Sequence, residues 1–142
     1  MKQITACLLS LFIALLPNIT FAESPILVPV WQSDIVFEQP ESVAFDAINK
    51  QLYVSNINGD PTEADNDGYI SSLSLEGEII EHHWLEGLNA PKGLTIVGNN
   101  LYIADINELV VVDIKNQKIT QRYSAPQAKF LNDIAADKNG NI

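Results

Sequence analysis

Glu41, Lys92 and Asn132 stand at one register of a stretch that the chain repeats, and Ser42, Gly93 and Asp133 stand at the next. Carboxylate and amide oxygens such as those of Glu41 and Asn132 are hard donors, the kind a divalent cation takes. Calcium suits them best, with zinc or manganese as alternatives. Asp133 and Lys92 are the charges that a bound substrate would meet. Lys92 counts against a purely cationic site unless it points away or contacts an anionic group. The plainer reading is that these groups cap strand starts and hydrate a channel.

The elements that must position them are short strands. Gln39–Asn58 contains Gln39-Pro40-Glu41-Ser42-Val43-Ala44-Phe45-Asp46, a turn at Ala47–Lys50, and Gln51-Leu52-Tyr53-Val54-Ser55-Asn56-Ile57-Asn58. The same shape returns from Pro91, with a turn at Gly98–Asn100 and then Leu101-Tyr102-Ile103-Ala104-Asp105-Ile106-Asn107. A third copy starts at Leu131 and turns through Lys138–Asn141. Val43, Leu94 and Ile134 match, 51 and then 40 residues apart, and Leu52, Leu101 and Ile142 match, 49 and then 41 apart. A period in this range built only of strands predicts an all-β fold, a β-propeller. Equivalent points on the innermost strands of such blades face the central axis, so the register of Glu41, Lys92 and Asn132 is expected to converge there.

The organisation expected from this repeat is a signal peptide over 1–22, an extended segment over 23–38, blades over 39–89 and 90–128, and the start of a third blade over 129–142. Lys2, the apolar run Cys7–Leu16 and the small residue Ala22 make the signal, which predicts a periplasmic or secreted protein. The apolar run is too short to span a bilayer. Cys7 is the single cysteine, so no disulfide framework is expected after residue 22. Two and a half blades cannot close a ring, so the chain is expected to be the N-terminal part of a longer propeller and inactive alone. Val28–Gln32 is expected to supply the outer strand of the last blade.

The chain has 142 residues, 46% of them hydrophobic, with a net charge of −10. Beyond residue 22 there are seven basic and eighteen acidic side chains. An acidic surface disfavours nucleic acid and anionic lipid as partners. Glu63–Gly68 imitates part of a calcium loop, but the acid due six residues after Gly68 falls at Ser74, so a solvated turn is expected. His82-His83 are neighbours on a strand and should face opposite ways, one packed and one solvated. Asn18-Ile19-Thr20 fits a glycan sequon but lies in the signal. The chain contains no nucleotide-binding glycine loop and no Gly-x-Ser-x-Gly elbow.

At Pro40-Glu41-x-x-x-Phe45-Asp46, Leu52-Tyr53-Val54-Ser55, Asp67-Gly68-Tyr69-Ile70, Pro91-Lys92-Gly93-Leu94, Leu101–Asp105 and Asn132-Asp133, the chain resembles the gluconolactonase / senescence-marker-protein family of six-bladed propellers, within the wider NHL-repeat group. The resemblance covers about Trp31 to Ile142. It implies an axial divalent metal, with Glu41 as first ligand and Asn132 and Asp133 near metal or substrate. It also implies hydrolysis of a lactone or similar ester, the metal polarising the carbonyl. The general base and the other ligands would come from later blades. Ser42-Val43 stand where the family has Gly-Pro, Phe45 where it has Trp, and Phe130 where it has Arg. The alternative is a non-catalytic propeller that binds a ligand or protein partner through its channel face.

Overall fold

The computed structural model describes residues 25–142. The signal sequence, Cys7 and the sequon lie outside the described residues. Eight strands follow one another: β1 (Pro40–Asp46), β2 (Gln51–Asn56), β3 (Gly68–Leu73), β4 (Ile79–Leu88), β5 (Pro91–Val97), β6 (Asn100–Asp105), β7 (Glu108–Asp113) and β8 (Lys118–Ser124). They form two antiparallel four-stranded sheets, each in simple sequential order, β1-β2-β3-β4 and β5-β6-β7-β8. The described residues contain no helix long and apolar enough to cross a membrane.

The sheets exist because the alternation of their residues buries one side of each against the other. The first contributes Ala44, Tyr53, Ile70, Trp84, Leu85 and Leu88, the second Leu94, Leu101, Ile103, Val110, Val112 and Ile114, and all belong to one cluster. Register keeps each set on one side: Ala44 faces Tyr53 and Ile70 faces Leu85 in the first sheet. Leu94 faces Ile103 and Ile103 faces Val110 in the second. The rings of Tyr53 and Trp84 meet at 4.5 Å between centroids, tilted 46°.

The turns carry a repeated device that was not foreseen. Asp46 Oδ1 accepts the N–H groups of Ile48 (2.8 Å) and Asn49 (3.0 Å), while Asn49 Nδ2 donates to Oδ2 at 2.7 Å. Asp113 and Asn116 repeat this clamp, as do Asp137 and Asn141. In the first two, the residue after the Asn adopts the left-handed conformation, Lys50 at φ 57° and Gln117 at φ 53°. All three carboxyls lie below their ordinary pKa. Burial pushes Asp46 up, but the Asn49 side chain and the turn N–H groups outweigh it. Hydrogen bonds from Asn116 lower Asp113, and those from Asn141 lower Asp137.

Val28–Gln32 forms no strand among the described residues, and the last blade that it is expected to complete is not among them. The segment is held by Trp31, whose ring covers Gly77 and whose indole N–H donates to Leu75 O at 2.9 Å. The outer strand of the first sheet runs from Ile79 to Leu88, its extra residues absorbed by register shifts between β3 and β4. The third copy makes only one bridge, Ile106 to Leu131, and the clamped turn at Asp137–Asn141, without a strand between them.

Ile103→Ala, at the fully buried centre of β6, is expected to cost about 2–5 kcal/mol in chemical denaturation. Asn116→Ala should raise the Asp113 pKa toward the ordinary carboxylate value, read by carboxyl NMR titration. The three clamps act in one direction. Because the folded carboxyls are depressed, their stabilisation is complete above the unfolded pKa and is lost as pH falls through the folded values.

Candidate functional site at the first-strand bulges

Glu41-Ser42 and Lys92-Gly93 sit on matching irregularities. Pro40 pairs with Asn56 and Val43 with Val54, so two residues of β1 oppose Ser55 alone. Pro91 pairs with Asp105 and Leu94 with Ile103, so two residues of β5 oppose Ala104 alone. A bulge of this kind re-aims the side chains that it carries. The shared register is legible in the sequence but the bulge is not, because an extra residue leaves the alternation on either side intact. Ser55 Oγ serves the first bulge by accepting the Ser42 N–H at 3.0 Å.

The third copy reaches the same place. Gly93 N–H donates to Asn132 O at 2.8 Å. A Cβ on Gly93 would lie 2.6 Å from Asp133 Oδ1 and 2.7 Å from Asp133 Cα, so only glycine admits this approach. Glu41, Asn132 and Asp133 are exposed. Asp133 Oδ1 accepts the N–H of Ile134 at 2.8 Å.

Lys92 behaves differently from its neighbours. Expected as a substrate contact, it is a buried tie in this structure, with 1% of its surface exposed. Its ammonium donates to Ala90 O at 2.8 Å and Pro61 O at 3.0 Å, and lies 4.4 Å from the centroid of the Phe130 ring. It thereby joins the inter-sheet linker, the loop between β2 and β3, and the third copy. Burial lowers its pKa, against the opposing pull of the Asp105 and Glu41 carboxylates. That pull is the electrostatic link between Glu41 and the second copy.

Asp105 is the residue that sequence reasoning missed. Fully buried, it accepts the N–H of Asn89 on Oδ2 at 2.9 Å and that of Ala90 on Oδ1 at 2.8 Å, fixing the linker from which β5 starts. The equivalent residue of the first sheet is Asn56. Its Nδ2 donates to Val54 O and Ser71 Oγ, and its buried Oδ1 has no partner among the described residues. The signal was present as the shared place of Asn56 and Asp105 at the ends of the second strands.

The other motifs resolve as follows. Asp60 Oδ1 accepts Thr62 N–H and Thr62 Oγ–H at 2.8 and 2.6 Å, and Asn58 Nδ2 donates to Asp67 O, which makes the acidic stretch a hydrogen-bonded turn. His82 and His83 do not separate across the sheet. Both flank Tyr69, His82 tilted at 5.4 Å and His83 stacked at 3.9 Å, because the register shift between Ile70 and Ser72 breaks the alternation of β4. His82 Nε2 meets Val36 O, and His83 Nδ1 meets Glu86 Oε1, each at 2.9 Å. Tyr69 donates its hydroxyl proton to Glu38.

The resemblance implies an axial metal, with Glu41 and Asn132 as the ligands from this chain and the others from later blades. Among the described residues, no group of three or more His, Cys, Asp or Glu side chains converges as metal ligands would. The Lys92 ammonium also places a positive charge near Glu41. No step of chemistry is therefore derived through a metal.

The LVIVD repeat, a repeat family associated with β-propeller folds, matches residues 91–126. This span takes in the whole second sheet, β5 to β8, and supports a propeller-like arrangement. It lends no support to the gluconolactonase / senescence-marker-protein family in particular. No curated protein and no solved structure matches the chain.

Lys92→Met keeps most of the unbranched apolar stem and deletes its donors. Hydrogen bonds from charged groups contribute about 1.5–3 kcal/mol each. The variant is expected to lose stability on that scale in chemical denaturation, and to become more sensitive to limited proteolysis within 59–66.

Proposed function

We propose that this chain belongs to a ring-forming β-propeller, six-bladed when complete, exported to the periplasm or beyond, that binds a ligand or protein partner through the end bearing Glu41, Asn132 and Asp133. The observation that carries it is the pair of matching bulges, which bring Glu41 and Lys92 to equivalent positions at one end, with Asn132 against Gly93. Ring formation is supported by the apolar residues on the free side of the first sheet. Val43 and Phe45 are 60% and 53% exposed, whereas Leu94 and Ile96, at the matching positions of β5, pack into the core cluster.

The charges point to the class of partner. Glu41 and Asp133 are exposed carboxylates, and the loop fastened by Lys92 adds Asp60, Glu63, Asp65 and Asp67 to the rim. Such an end favours a partner that brings positive charge or hydrogen-bond donors, and it repels anions.

A second reading, a metal-dependent lactone or ester hydrolase, is favoured by the exposed oxygens of Glu41 and Asn132. Its remaining ligands would have to come from residues beyond those described. Calorimetric titration of the mature protein with calcium, manganese and zinc separates the two readings, with Glu41→Gln and Asn132→Ala alongside. The binding-module reading expects no metal site that depends on both residues. One tight site per chain, lost in both variants, would replace it with the hydrolase reading and call for a lactone screen.

A further inference from the structure

We infer that a groove between the two sheets, at the end of the strands opposite Glu41, binds a neutral polyhydroxylated small molecule of the size of a mono- or disaccharide. The groove has a volume of about 640 Å³, within the range of about 300–1,000 Å³ that small-molecule sites occupy. Tyr53 and Trp84 contribute to it from the first sheet, together with Asn49 and Gln51; Asn99 and Gln117 contribute from the second. It is therefore a feature of the seam, and neither sheet forms it alone.

Its chemistry follows from which polar atoms are already spent. Asn49 Nδ2 donates to Asp46, and Asn99 Nδ2 donates to Asp113, each at 2.7 Å. A carboxylate facing each amide fixes its orientation, since only the NH₂ end can donate. Gln117 Nε2 donates to Glu81 and to Trp84 O. The side-chain carbonyl oxygens of Asn49, Asn99 and Gln117 accept no bond among the described residues. Tyr53 donates its hydroxyl proton to Gln51 Oε1 at 3.3 Å, which leaves the Gln51 NH₂ as a free donor. Trp84 is 7% exposed, and its indole N–H makes no hydrogen bond among the described residues, yet its nitrogen is not one of the buried unpaired atoms, so solvent or a ligand in its place can reach it.

Three acceptors and two donors remain, without a carboxylate among the lining residues and with Lys115 as the one formal charge. Hydroxyl groups both donate and accept, so a polyol satisfies the whole set. A carboxylate or phosphate can only accept and would face three carbonyl oxygens. A metal cation would find no charged oxygen, because Asp46 and Asp113 are committed to their turns. An apolar ligand would leave the amides unpaired. The aspartate clamps hold Asn49 and Asn99 in place before any ligand arrives, which reduces the ordering cost of binding.

The experiment uses the full chain carrying Trp31→Phe, so that emission reports on Trp84, the other of the two tryptophans. Glucose, galactose, mannose and maltose are titrated against succinate and butanol as anionic and apolar comparators. The expected result is a saturable change with at least one sugar and with neither comparator. Gln51→Leu should weaken that binding about tenfold, the equivalent of one hydrogen bond. Trp84→Phe, followed by chemical shifts of the Asn49 and Asn99 side-chain amides, should do the same. Gln51 is a partly exposed strand residue, so its variant tests the site even where Trp84→Phe fails to fold. No saturable response to any sugar, a response to succinate or butanol alone, or sugar binding unchanged by Gln51→Leu would overturn the assignment. Each of these outcomes is independent of the Glu41 end.

Discussion

The burial of one sheet against the other is the constraint on which the rest of the structure depends. Tyr53, Ile70, Trp84 and Leu88 on one side and Leu101, Ile103, Val110 and Val112 on the other have no other means of leaving water. A four-stranded meander alone leaves both of its faces in water, and it buries them only against neighbouring units. Packing sheet on sheet covers one face of each and leaves Val43 and Phe45 of β1 uncovered. The same packing sets β1 beside β5 and creates the seam along which the Tyr53–Trp84 pair and the amide-lined groove lie.

Buried charges tie the pieces of this arrangement together. Asp105 gathers the N–H groups of Asn89 and Ala90, and Lys92 gathers the carbonyls of Ala90 and Pro61. One side chain accepts only and the other donates only, so between them they satisfy linker groups of both kinds. Arg122 does similar work nearer the rim, pairing with Glu108 and donating to Gly87 O at 2.6 Å. An apolar residue could fill the space of any of these but would leave backbone groups unpaired, at a cost comparable to the hydrogen bonds lost.

Two ends with different chemistry result. At one, the bulges in β1 and β5 turn charged residues out of the sheet pattern, and an acidic loop is fastened over Lys92. At the other, aspartates are consumed in tight turns and leave neutral amides around the seam. The polarity of each end thus follows from what its carboxylates are doing: exposed at Glu41 and Asp133, committed to turns at Asp46 and Asp113.

Much of this was legible in the sequence. Alternation and turn chemistry located β1, β2, β5 and β6 within a few residues, since a period of two and the clusters around Asn and Gly are local properties. Repeat register placed Glu41, Lys92 and Asn132 at one end for the same reason. What the sequence left open depends on contacts between distant segments. The fate of Lys92 was decided by Pro61 and Phe130, which lie 31 and 38 residues away. The histidines of β4 came to one side because a register shift against β3 overrode alternation. Trp31 came to rest on Gly77, 46 residues away, a contact that no local pattern announces. Sequence by itself determined which stretches are strands and which residues share a register, because backbone sterics and side-chain alternation act between neighbours. Only the tertiary structure decided which polar groups are spent and which remain free, because a hydrogen bond between remote segments exists only after the sheets have packed.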